Sequence, residues 1–361
     1  MKLKMLVFGT IILGFGLSQS LEETLQQMAK DNARGYLGPA VTAFGMGVNS
    51  GTFHTAKPHK MLGFDVKLNV AATSITDVGQ TYEYAVPNID LDFSMPFDIG
   101  TGTQNFNIVI NPDDVYEADR ESSTLFGPKE VNTINADPAL AADLIAEQIA
   151  TQAGNGITAD DIKSISGFDA AVSDAITDNI PALTTFEGFD LPAFPMVMPQ
   201  VSVGLPLDIE VTLRGFPEAD AGDVGKLSFF GFGGKIGLNQ FIPIPNIALP
   251  QISAGYYMTN LSVGDLLSAK NSIMTLQASK SIPFITVYGG IGLESSSMDV
   301  SYTYVDEVTD TELPIEFSLD GENSFRTIVG ARIKLFLLSI NADYNIGEFN
   351  TLNLGVGLTL R

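Results

Sequence analysis

Between Pro199 and Arg361 hydrophobic and polar residues alternate in one segment after another. In the last, Leu352, Leu354, Val356, Leu358 and Leu360 alternate with Thr351, Asn353, Gly355, Gly357 and Thr359. A two-residue period puts every aliphatic side chain on one face of a strand and every small or polar one on the other. The same period predicts strands at Leu62–Val70, Gln200–Leu205, Leu207–Leu213, Phe230–Leu238, Ile252–Leu261, Ser272–Ser279, Phe284–Leu293, Met298–Tyr304, Asn323–Leu335 and Leu338–Tyr344, and more weakly at Val41–Val48, Ile89–Met95 and Phe106–Ile110. Several reach ten residues, longer than the ~5 to 6 usual in globular proteins and close to the ~9 to 11 that a tilted membrane strand needs. Together they predict an all-β fold, a transmembrane antiparallel barrel of about fourteen strands within a range of about 10 to 16, with the last strand closing on the first near Val41–Val48.

Helical periods occur in two places. Leu21–Tyr36 places Leu21, Leu25, Met28 and Ala29 on one stripe, with Glu22 and Glu23 in the first turn. It reads as a helix over residues 21–37, a plug or a periplasmic element before a barrel at 38–361. The second place is an insertion at about 111–190. There Asp137 and Pro138 open a helix carrying Leu140, Leu144, Ile145 and Ile149; Thr158 and Asp161 open another; and Phe168, Val172 and Ile176 mark a third.

Composition narrows the class. Hydrophobic residues make up 45% and charged residues 17% of the 361, yet the formal net charge is −23. The insertion holds 16 acidic residues against Arg120, Lys129 and Lys163, a local balance of −13. Nothing supplies the basic stripe that phosphate binding needs, so nucleic acid is excluded as a partner. There is no cysteine, hence no disulfide framework. Residues 1–20, with Lys2 and Lys4 ahead of an apolar run and Ser18 and Ser20 behind it, have the form of a secretion signal.

Candidate chemistry is sparse. His54 and His59 flank Pro58 in a stretch that reads as a solvated loop, and the Asp113, Asp114, Glu117, Asp119 cluster lacks a calcium-loop pattern. No nucleophile stands in a catalytic motif, so neither an enzyme nor a cofactor or metal is expected. The polar strand faces instead supply candidate lumen-lining residues: Lys67, Arg214, Lys235, Arg326, Arg332 and Lys334 opposite Asp65, Asp208, Glu210, Asp299 and Asp343. Tyr256, Tyr257, Tyr288, Tyr302, Tyr304, Tyr344 and Phe349 near strand ends suggest aromatic girdles at the membrane interfaces.

The run from Leu191 to Leu205, Leu-Pro-Ala-Phe-Pro-Met-Val-Met-Pro-Gln-Val-Ser-Val-Gly-Leu, continues to Leu213-Arg-Gly-Phe-Pro and then Phe229-Phe-Gly-Phe-Gly-Gly-Lys-Ile-Gly-Leu. It resembles an uncharacterised family of outer-membrane barrels from Bacteroidota-like bacteria, a resemblance carried mainly by Pro-Gln-x-Ser-x-Gly-Leu. In plan the chain is also similar to long-chain fatty-acid transporter barrels, though no ligand-binding residue matches. The resemblance implies the cell outer membrane, with its lipid as one partner. The expected function is a channel or transporter for small or amphipathic solutes; the alternative is a structural or interaction protein that binds through the acidic insertion.

Overall fold

A computed structural model describes residue 25 and residues 28–360, except 87–89, 118, 155, 221–225, 243–248 and 307–310. The secretion signal lies outside the described residues. The helices are α1 (Lys30–Val48), α2 (Pro138–Ala153), α3 (Ala159–Lys163) and α4 (Phe168–Asn179). The strands are β1 (Phe64–Ser74), β2 (Thr81–Glu83), β3 (Leu91–Asp98), β4 (Thr103–Ile110), β5 (Glu121–Ser123), β6 (Thr133–Ile134), β7 (Leu183–Thr184), β8 (Ala193–Leu205), β9 (Ile209–Asp220), β10 (Lys226–Gly237), β11 (Gln251–Val263), β12 (Leu267–Ile282), β13 (Ile285–Asp306), β14 (Thr311–Asp320), β15 (Phe325–Leu335), β16 (Leu338–Ile346) and β17 (Thr351–Leu360).

The chain divides into two compact units: Met1–Gln80 with Thr124–Gly127 and Phe189–Arg361, and Thr81–Ser123 with Pro128–Gly188. In the first, β1, β8 to β13 and β15 to β17 pair antiparallel in a ring, closed by β12 on β13 and by β17 on β1. Phe64 lies opposite Leu360 and Thr73 opposite Thr351, so the closing seam is paired along its length. A closed ring leaves no strand edge, which is what a sheet surrounded by hydrocarbon requires.

Ten strands close the ring, at the low end of the expected range, and β14 is an eleventh paired only with the far half of β13. β14 and β15 share one return path along β13, interrupted at 321–324. Of the fourteen expected strands, Phe284–Leu293 and Met298–Tyr304 are one continuous strand, β13, and three others go elsewhere. Val41–Val48 is the last part of α1, so β17 closes on Phe64–Ser74 instead. The alternations around Leu91 and Phe106 become β3 and β4, a hairpin of the second unit.

The ring has inverted polarity. On β17 the aliphatic residues are the exposed ones, Leu354 at 52% and Leu358 at 56%, while Thr351 and Asn353 are fully buried. The same holds for Val66 against Lys67 on β1 and Ile340 against Asn341 on β16. Water would select the opposite arrangement, whereas lipid outside a polar interior selects this one. Among the described residues no helix is long and apolar enough to cross a membrane.

The second unit begins at Thr81, thirty residues ahead of the expected insertion. Phe106, Ile108 and Ile110 of β4 form one core with Ile145 and Ile149 of α2 and with Phe168, Val172 and Ile176 of α4, whose Phe168 meets Phe97 of β3 edge-on. α2 starts on the expected Asp137 cap, which accepts from Ala139 N–H, and α3 on a Thr158–Asp161 capping box. The outer edge of β4 is covered by side chains. Gln148 and Gln152, one turn apart on α2, each accept from and donate to a β4 backbone group, at Val109 and Asn107.

Candidate functional site: a plugged polar interior

α1 and the segment after it occupy the inside of the ring. The helix has no apolar stripe because wall surrounds it: every residue from Val41 to Val48 is buried. Such a helix carries no 3.6-residue signal, and its glycines, Gly45 and Gly47, read as strand alternation. Gly45 is required, since a Cβ there would stand 1.9 Å from Ser296 Oγ. The helix thus runs to Val48, past the predicted end at 37, while residues 21–24, 26 and 27 of the predicted start lie outside the described residues. Near its start, Tyr302 Oη donates to Met28 O at 2.9 Å.

The C-terminus of α1 explains the interior cations. A helix ends with four carbonyls that have no partner of their own, and with partial negative charge. α1 has no basic residue in its last turn. The wall provides them. Asn49 N–H reaches Gly45 O and Ser50 N–H reaches Gly47 O. Arg326 donates to Met46 O at 3.1 Å, and Arg214 donates to Val48 O at 2.7 Å and Ser50 O at 2.6 Å. Lys67 then takes Gly51 O at 3.0 Å, and Lys235 takes Thr55 O at 2.8 Å.

Carboxylates anchor two of these cations, Arg326 and Lys235, from behind. Glu294 pairs with Arg326 at 2.5 Å and accepts from Asn49 and from Asn323, inside the break between β14 and β15. There, too, Glu322 N–H bonds to Thr42 Oγ1 of α1 at 3.0 Å, so the wall opens its ladder where it grips the helix. Glu210 holds Lys235 at 3.0 Å. Asp343 accepts from Tyr288, Asn345 and Asn353 at 2.8 to 2.9 Å.

Of the eleven predicted lumen-lining residues, Asp65, Lys67, Glu210, Arg214, Lys235, Arg326, Arg332 and Asp343 are buried on the interior face. Three are not. Asp208 is exposed in the turn between β8 and β9, Asp299 is exposed beside Lys270, and Lys334 lies half-buried at the end of β15, where the alternation runs out at a rim. Most of the cations meet backbone carbonyls of the plug rather than carboxylates alone, a pairing that requires knowing that a helix lies inside. Glu294 is absent from the predicted set; it continues the interior series Gly290, Gly292 one residue past the predicted end of that strand. The girdle reading also changes. Tyr257, Tyr288 and Tyr302 are buried because they fall on interior positions of the two-residue period, Phe349 is buried in the turn between β16 and β17, Tyr304 is half-buried, and Tyr256 and Tyr344 are exposed outside.

Both histidines are interior rather than solvated. His59 Nε2 lies 3.0 Å from Asp65 Oδ1 and 3.9 Å from Glu210 Oε2, and its backbone N–H donates to Glu210 Oε2 at 2.9 Å. His54 Nδ1 meets Lys67 Nζ at 3.1 Å. Among the described residues, His59, Asp65 and Glu210 form the one set able to converge on a metal ion. One of their two carboxylates, Glu210, already pairs with the ammonium of Lys235 at 3.0 Å.

A family of unknown function matches residues 1–360, nearly the whole chain. The chain belongs to that family, DUF6588. No curated protein matches it. Among solved structures it is similar to Ail, the attachment invasion locus protein of Yersinia pestis, at 10% identity and a TM-score of 0.21 over 42% of this chain and 91% of that one. It is also similar to a loop L8 deletion mutant of OmpT, an outer membrane protein of Vibrio cholerae, at 12% identity and a TM-score of 0.24 over 82% and 99%. Similarity at that level adds nothing to the family's function; the barrel rests on its own closed ring.

Proposed function

We propose that this member of the family is an outer-membrane barrel holding its own N-terminal segment as a plug, and that displacing the plug opens a path for small or amphipathic solutes. The observation that carries the reading is the way residues 45–55 take up Arg326, Arg214, Lys67 and Lys235. Without the plug those cations would line a hydrated lumen, and rings of charge set selectivity in open pores. Thr55 Oγ1 and Ser279 Oγ, 3.3 Å apart, join the plug segment to the wall. Because the chain has no cysteine, Thr55→Cys with Ser279→Cys gives a single reversible lock. In planar bilayers the reduced protein should conduct intermittently, oxidation should abolish this and reductant restore it. A folded, reduced protein with neither conductance nor solute flux refutes the pore.

The second reading, an interaction protein, is favoured by the second unit's own apolar core. Removing that unit should then abolish partner binding and leave the barrel's conductance unchanged.

A further inference from the structure

The tight turns after β8, β12 and β15 lie at one rim of the ring, with the start of β1 and the end of β17. Turns are ordinarily polar, with glycine or asparagine where φ is positive. Here they are apolar and large. Leu62, Leu207, Phe241, Phe284, Phe336 and Leu337 project from this rim, Phe336 at 97% exposure. Leu62, Leu207 and Phe336 have φ of 65°, 65° and 53°. A side chain with a Cβ costs about 1 kcal/mol or more in that region, so large apolar residues stand here, beside Asp208 at 51°, where such a conformation ordinarily takes glycine or asparagine.

Charge points the same way. In a chain of net charge −23, this rim carries Lys57, Lys60, Lys280 and Lys334 against Asp208. The opposite end of the ring, with the hairpin of β13 and β14, carries Asp265, Asp299, Glu312, Glu316, Asp320 and Glu348 against Lys226 and Lys270. Large apolar side chains with lysines beside them match the boundary between acyl chains and anionic phosphates.

Length supplies a third argument. From Leu352 to Leu360 the exposed aliphatic face of β17 covers roughly 27 Å along the strand, and about 20 Å along the membrane normal at a tilt near 45°. A barrel's apolar band is about 25 Å tall. The turn residues continue the strand face at the rim and supply the missing few ångströms.

We propose that the tight-turn rim is a lipid-binding foot, its apolar turn residues immersed at the acyl boundary and its lysines on the phosphates of an anionic leaflet. This rests on the membrane-spanning reading above. The chain lacks tryptophan, so single reporters are available. Phe336→Trp, Val356→Trp in the middle of the strand face and Leu313→Trp on the β13–β14 hairpin are each folded into vesicles of phosphatidylcholine and phosphatidylglycerol. The lipids carry bromine either near the headgroup or near the chain end. Fluorescence of the reporter at position 336 should be lost to the shallow bromines, that at position 356 to the deep ones and that at position 313 to neither. Replacing the phosphatidylglycerol with phosphatidylcholine should weaken the shallow quenching at 336. If 356 is quenched but 336 is not, the foot is refuted and the spanning barrel stands. If 356 is quenched by neither, both fail. Quenching at 336 that is equal with and without phosphatidylglycerol overturns the lysine half of the proposal.

Discussion

Arg214→Met is the sharpest perturbation of the plug. It removes two charge-assisted hydrogen bonds, at 2.7 Å to Val48 O and 2.6 Å to Ser50 O, while keeping an unbranched apolar stem of similar length. At about 1.5 to 3 kcal/mol for each bond to a charged group, the plug loses about 3 to 6 kcal/mol of docking energy. That shifts the docked-to-displaced ratio roughly 10²- to 10⁴-fold, since each 1.4 kcal/mol is about tenfold. Hydrogen exchange by mass spectrometry in lipid nanodiscs should show amides of residues 45–55 exchanging faster by about that factor. Amides of β17 should stay protected and heat-dependent gel mobility should persist, because no wall ladder is touched. Unchanged exchange at 45–55 in a folded variant would refute the view that wall cations hold the plug.

Val356→Asp puts a carboxylate on the exposed aliphatic face of β17; it should block membrane assembly, seen as loss of the heat-dependent gel shift, and normal insertion would count against a lipid-facing β17. Ile145→Ala in the second unit should cost about 2 to 5 kcal/mol, lowering that unit's melting transition while the barrel's gel shift remains. Thr158 hydroxyl and backbone donors hold Asp161 below its ordinary carboxylate value of 3.8, so this contribution to the unit's stability is complete above that value and is lost as pH falls through the lower folded one. In Thr158→Val the Asp161 titration, followed by NMR, should move up toward its ordinary value, and an unmoved titration would contradict the capping box.

The wall is legible in the sequence because lipid on one side and polar groups on the other force every strand into the same period: β1, β9, β15, β16 and β17 all follow from it. Alternation specifies faces but not the sheet to which a strand belongs, which is why β3 and β4 read as strands of the ring. The plug is not legible. Val41 to Val48 is enclosed on all sides, so burial imposes no period, and its glycines answer to Ser296 and Met196 on distant strands. His54 and His59 look like loop residues because a polar interior and bulk water ask for the same composition. The eight buried charges are identified by their strand positions; their partners are not, since backbone carbonyls of a distant helix leave no mark on the sequence.

The capping of α1 by the wall also constrains how the molecule can be made. Arg214 and Arg326 sit on strands separated by more than a hundred residues, and both direct their hydrogen bonds to one helix end. A ring that closed empty would leave these cations without those acceptors until a helix entered through one rim. The seam between β1 and β17 joins the strand that follows the plug to the last strand of the chain. Closure of that seam is thus the natural final step, with the helix already in place as the template around which the strands assemble. Mutations that loosen the helix should therefore slow barrel formation itself, before any effect on the finished protein is seen.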